Sequence, residues 1–136
     1  MALAELFAPE EYWEIPEALR NLNSSACGAG DGLGDALVPD SIWGLPVTEA
    51  CRIHDFMYSQ GRTEKDRREA DRVLLNNLVR LIEAARDHSR VPIWRDVVAS
   101  LRRYRAMTYY NAVRDFGGVA FWKGKNKEKE LGLVAI

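Results

Sequence analysis

Cysteine and histidine are scarce in this 136-residue sequence, with two of each. Cys27 and Cys51 are too few for a disulfide-stapled miniprotein or a thiolate zinc site, although they suffice for one bridge. Charge of one sign is also lacking: nineteen basic residues against twenty acidic ones leave a formal charge of -1. No global field then draws in nucleic acid, and none is expected as a partner. No apolar run approaches the length that spans a bilayer. The opening stretch "MALAELFAPEEYWE" is acidic and lacks the basic-then-apolar order of a signal peptide, so no common export address is expected. No internal repeat is visible. What is present is a hydrophobic content of 47%, enough to bury one core, and the expectation is a single domain over residues 1–136.

The class expected is all-α in the main. Short helical pieces fit the surroundings of Tyr12 and the stretch Ala18 to Leu22, with Pro16 tolerated at a helix start. From Ser24 to Pro46 the character changes, with glycines at 28, 30, 32, 34 and 44, prolines at 39 and 46 and acids at 31, 35 and 40. A loop that long inside a small domain points to ligand binding, because closely spaced glycines let a backbone wrap around a ligand. A helix is predicted over about Thr48 to Gln60, with Thr48 as N-cap and Gly61 as a left-handed stop. A second begins after Thr63, where Thr63-x-x-Asp66 resembles a capping box, and runs to about Arg86. The short turn between them favours an antiparallel hairpin. A third helix fits Pro92 to Phe116, with Trp94, Val97, Val98, Leu101, Tyr104 and Thr108 at helical spacing and Gly117-Gly118 as the stop. The remaining "VAFWKGKNKEKELGLVAI" reads as a small hairpin or a loose tail.

The stretch "EACRIHDFMY" carries Cys51, His54, Asp55 and Tyr58 within one helix, and their i, i+3, i+4, i+7 spacing puts all four on one face. On the second helix, Asp71, Leu74, Leu75, Leu78, Leu81, Ile82 and Ala85 make one stripe that begins with a carboxylate. An acid on a buried stripe needs a partner. Positions 54 and 71 are equidistant from the turn at Arg62 and Thr63, so antiparallel helices bring His54 and Asp71 to the same height, roughly 13 Å from the turn at 1.5 Å rise per residue. A carboxylate accepting one ring N–H fixes the imidazole tautomer and leaves the other nitrogen free as a base. Asp55, about 100° around the helix, is free for another role. His88, among Arg86, Asp87 and Arg90, reads as a solvated helix cap.

"GLPVTEACRIHDFMY" followed by "ADRVLLNNL" resembles the secreted phospholipase A2 family, most closely its prokaryotic and fungal branch, over about Ala26 to Leu78. The resemblance implies a calcium-dependent esterase acting at the sn-2 type ester of a glycerophospholipid, with His54 as the base that activates water, Asp71 as its orienting acid and Tyr58 as the tyrosine that bonds that acid. It implies a calcium ion held by the Asp55 carboxylate and by carbonyls of the Cys-Gly-x-Gly-like loop "ACGAGDG", namely those of Ala26, Gly28 and Gly30, with the Asp31 side chain as an additional ligand. It also implies a bridge between Cys27 and Cys51, whose closure of about 25 residues is worth ~3 to 4 kcal/mol in the loop-entropy picture. The spacing from loop to His54 is longer than in the better-known branch, and the extra disulfides of animal members are missing. Delivery by a phage particle or a secretion machine is one route open to such a chain.

A phospholipid membrane surface is the partner implied. Trp122 with the lysines of "WKGKNK" and the pair Trp43 and Leu45 are the two groups suited to touching it. Competing readings fail on residue counts. A His-Asp phosphohydrolase needs histidines before His54, where there are none. A dinucleotide fingerprint has Leu33 where its third glycine belongs, and an EF-hand counted from Asp31 has Ile42 where its glutamate belongs. The rival of a different class is a phospholipase-like binding or structural module of a phage tail or effector complex with little turnover. Oligomeric state is not legible.

Overall fold

The computed structural model describes residues 5–22, 41–89 and 92–122. Within them the chain is mainly helical with one small antiparallel ribbon. Two short helices, Glu10–Glu14 (α1) and Glu17–Leu22 (α2), precede strands Ser41–Ile42 (β1) and Leu45–Pro46 (β2). Four helices follow: Thr48–Gln60 (α3), Glu64–Asp87 (α4), Pro92–Phe116 (α5) and Gly118–Trp122 (α6). The stretch read as a loop to Pro46 therefore ends in paired strands, Ser41 opposite Pro46 and Ile42 opposite Leu45. Trp43 and Gly44 at its tip both have positive φ, 46° and 78°, the requirement of a tight two-residue hairpin.

Local chemistry explains where the central helices start. Thr63 accepts a hydrogen bond from the Asp66 amide at 3.1 Å, and the Asp66 carboxylate accepts from the Thr63 amide at 3.2 Å and the Arg62 amide at 2.9 Å. This capping box satisfies donors that a helix start leaves bare. Helix α3 starts differently from expectation. Val47, fully buried, occupies the N-cap and Thr48 is already the first helical residue, because strand β2 leads the chain directly into the helix. Its end differs too. Gly61 has an extended backbone, φ -69° and ψ 153°, so a left-handed stop is not what it provides. A side chain there would place its Cβ 2.7 Å from Phe121 Cε2, and glycine is needed to let α6 come close.

Helix α4 packs between α3 and α5. It buries Ala70, Asp71, Leu74, Asn77, Leu78 and Ile82, which follows the stripe read from sequence and adds a buried amide. Asn77 Oδ1 accepts from the Phe7 amide at 2.7 Å and its Nδ2 donates to the Phe7 carbonyl at 2.8 Å, clamping the N-terminal segment to α4. Helix α1 is tied to α3 by Tyr12, whose buried ring meets Phe56 and whose hydroxyl donates to Glu49 at 2.9 Å.

Helix α5 runs over the expected residues but presents another face. Trp94, Val97, Leu101 and Tyr104 are exposed, and the buried line is Ala99, Ala106, Tyr109 and Val113. Two alanines share that line with Tyr109 and Val113, and a stripe chosen by side-chain bulk picks the outer flank instead. Beyond the Gly117-Gly118 corner the chain forms α6 where a hairpin or tail was expected, and residues 123–136 lie outside the described residues. The main cluster joins the ribbon to α3, α4 and α5 through Ile42, Leu45, Val47, Ala50, Leu74, Leu78, Ile82 and Val113. A second, smaller cluster of Tyr58, Ala70 and Phe121 closes the turn end of the hairpin.

Candidate functional site

The site lies on the facing sides of α3 and α4, next to the second cluster. His54 and Asp71 meet across the helix pair, with Nε2 2.8 Å from Asp71 Oδ1. One α3 turn further on, Tyr58 donates its hydroxyl to the same carboxylate oxygen at 2.6 Å. Asp71 is 1% exposed and His54 8%, so the carboxylate is sealed and the imidazole is buried but for a small fraction. An ionised carboxylate can only accept. The ring nitrogen facing it must then carry the proton, which leaves Nδ1 with a lone pair as the available base.

Tyr58 is held on both sides. Its ring lies 4.1 Å from the His54 ring and meets Phe121 edge-on at 5.2 Å. Burial, and next the Asp71 charge beside it, push its phenol far above the ordinary tyrosine range, so it remains a neutral donor. The α5 to α6 corner approaches this hydroxyl closely enough that a Cβ at Gly117 would lie 2.6 Å from Tyr58 Oη. Gly117 read as a stop signal, and a side chain there would run into both the Val113 carbonyl of α5 and the tyrosine.

The other carboxylate oxygen has a different neighbour. Asp71 Oδ2 makes no hydrogen bond among the described residues and faces Arg67 Nη1 at 3.6 Å. Arg67 is buried, and both its terminal nitrogens donate to the Arg114 carbonyl, at 3.0 and 2.7 Å. Glu64 Oε1 stands 3.7 Å from Arg67 Nε and accepts from the Trp122 indole at 2.7 Å. Arg67, Glu64 and Phe121 did not stand out in the sequence, and Gly117 did so only as a helix stop. The available signal was that Arg67 precedes the buried-stripe acid by four residues, one helical turn.

The remaining expected residues are only partly placed. Asp55 sits half-buried on α3, directly after His54. Ala26, Gly28, Gly30 and Asp31 lie outside the described residues, as does Cys27. Cys51 is buried and is not a free thiol. Among the described residues no group of three or more His, Cys, Asp or Glu side chains could hold a metal. The expected donors are nonetheless all oxygens, carboxylates and carbonyls, a set suited to a hard cation such as calcium. Of the two groups suited to a membrane surface, Trp43 is exposed at the ribbon tip, while Leu45 is buried in the core and Trp122 is half-buried with its indole bonded to Glu64. The lysines after Trp122 lie outside the described residues. His88 is exposed at the end of α4, where it caps the helix with Nδ1 2.7 Å from the Ala84 carbonyl. No described helix is long and apolar enough to cross a membrane. A groove of about 580 Å³ bordered by Phe7, Arg72 and Val79 takes in none of His54, Tyr58 and Asp71. No family model, curated protein or solved structure matches the chain.

Proposed function

We propose that the chain is a phospholipase A2-like hydrolase that cleaves a carboxylic ester of a glycerophospholipid with calcium as its cofactor. The observation that carries this reading is the buried His54 to Asp71 contact on an antiparallel helix hairpin, with Tyr58 on the same carboxylate oxygen. His54 Nδ1 takes a proton from water, and the hydroxide equivalent attacks the ester carbonyl carbon. Asp71 stabilises the imidazolium that forms, and His54 returns the proton to the leaving alkoxide, with no covalent intermediate. Asp55, with the carbonyls of Ala26, Gly28 and Gly30 and the side chain of Asp31, is the donor set for calcium, which supplies electrostatic stabilisation of the oxyanion when bound. A bridge between Cys27 and Cys51 ties that glycine segment to α3, and a phospholipid surface is the partner.

Fatty-acid release from phospholipid vesicles, with calcium or with chelator, tests the reading. The expected result is calcium-dependent release by the wild type that His54→Ala abolishes. Equal release by both proteins removes His54 as the base, and no release from any lipid with calcium present removes the hydrolase reading in favour of a binding module. Calcium should also raise the melting temperature of the wild type but not of Asp55→Ala.

A further inference from the structure

Asp71 has two oxygens, and they are served unequally. Oδ1 accepts from both His54 and Tyr58, at 2.8 and 2.6 Å. Oδ2 is buried without a hydrogen bond among the described residues, 3.6 Å from the Arg67 guanidinium. A carboxylate 1% exposed with one bare oxygen is costly to bury unless a cation stands nearby. Arg67 is that cation, and it is held from three directions. Its fork donates twice to the Arg114 carbonyl near the end of α5, where the helix dipole is negative. Glu64 stands beside its Nε, and Glu64 is itself held by the Trp122 indole of α6. A Cβ at Gly118 would lie 3.4 Å from Arg67 Nη2, so the corner packs against the guanidinium as well.

Resting on the hydrolase reading above, we propose that Arg67 is a positioning residue of the dyad, holding the Asp71 carboxylate turned so that Oδ1 receives the His54 ring. Its charge at Oδ2 sets the two oxygens apart, so that rotation about the terminal torsion of Asp71 is opposed by loss of the contact. Because Arg67 is anchored by α5 and α6, those helices orient a dyad to which they contribute no side chain.

The test compares Arg67→Met, which keeps the stem and removes the charge, with Arg67→Lys, which keeps the charge and loses the fork. Vesicle hydrolysis gives kcat and KM, and nitrogen-15 NMR at one fixed pH reads the His54 tautomer and its Nε2–H. The expected result for Arg67→Met is a fall in kcat of about tenfold or more, up to the 10²–10⁴ that general acid–base catalysis contributes in full. KM stays unchanged, and the Nε2–H signal shifts or is lost. Arg67→Lys restores the signal and most of the rate. Should Arg67→Met not fold, a folded Arg67→Lys with the rate and tautomer signal of wild type supports the role of charge. A folded variant of either kind that departs from these patterns overturns the proposal: a Met variant with wild-type kcat and tautomer, or a Lys variant that restores neither. The hydrolase reading fails separately, through absent release by the wild type, and in that event the NMR comparison still decides what Arg67 does to His54.

Discussion

Tyr58→Phe removes one hydroxyl and leaves the ring contacts to His54 and Phe121, which makes it a clean probe of the buried carboxylate. The lost hydrogen bond runs to a charged acceptor at 2.6 Å, a type worth about 1.5–3 kcal/mol net. Asp71 Oδ1 keeps its His54 partner in the variant, so the lower part of that range applies, and the expected loss of stability at pH 8 is about 1.5 kcal/mol. The pH dependence follows from the raised pKa of Tyr58. An unfolded tyrosine titrates near 10 and the folded one far higher, so the folded state binds the extra proton above pH 10. The stabilisation is therefore fully present below pH 10 and is lost as pH rises above it toward the folded value. At pH 11 the difference amounts to about 1.4 kcal/mol, one pKa unit, so the gap between wild type and variant nearly closes. Urea unfolding of both proteins, followed by circular dichroism at pH 8, 10 and 11, measures this directly. The other four tyrosines are common to both and cancel in the difference. A gap that stays constant to pH 11 would refute the claim that Tyr58 is buried as a neutral donor to Asp71.

Other substitutions address the parts that place the site. Gly117→Ala would set a Cβ against the Val113 carbonyl oxygen and 2.6 Å from Tyr58 Oη; overpacking of this kind costs about 1–3 kcal/mol, and urea unfolding should register the loss. Asn77→Ala removes both bonds to the Phe7 backbone, with an expected cost of about 1–2 kcal/mol and faster hydrogen exchange at the Phe7 amide, while exchange in α5 changes little. Trp43→Asn places a residue that tolerates positive φ where φ is 46°, and a higher melting temperature by about 1–3 °C is expected, reduced by the lost Arg105 contact to the Trp43 ring at 5.9 Å.

Much of the hairpin was legible because its signals are local. Thr63 and Asp66 cap α4 through their own backbone neighbours, and positions 54 and 71 are equidistant from the turn, so helical rise alone sets them level. The acid on an otherwise apolar stripe announced a buried partner. The buried face of α5 is not legible for the opposite reason: which side of an amphipathic helix is buried depends on how the neighbouring helix packs against it. Ala99 and Ala106 line the contact where Trp94 and Leu101 had seemed the stronger candidates. The ribbon over Ser41–Pro46 escaped notice because two-residue strands carry no periodicity, and its turn uses a tryptophan at positive φ.

By itself, the sequence determined the helix hairpin and the pairing of His54 with Asp71, since both follow from spacing along regular helices and from the cost of burying a lone carboxylate. Only the tertiary structure decided how that carboxylate is completed. Arg67 is one more arginine on a charged helix until the α5 carbonyl of Arg114 and the α6 indole through Glu64 hold it against Asp71. Gly117 is a helix stop until Tyr58 Oη lies where its side chain would be. These contacts join residues that are up to 59 positions apart in the chain, Tyr58 and Gly117 among them, and close packing of α5 and α6 on the hairpin is what brings them within reach.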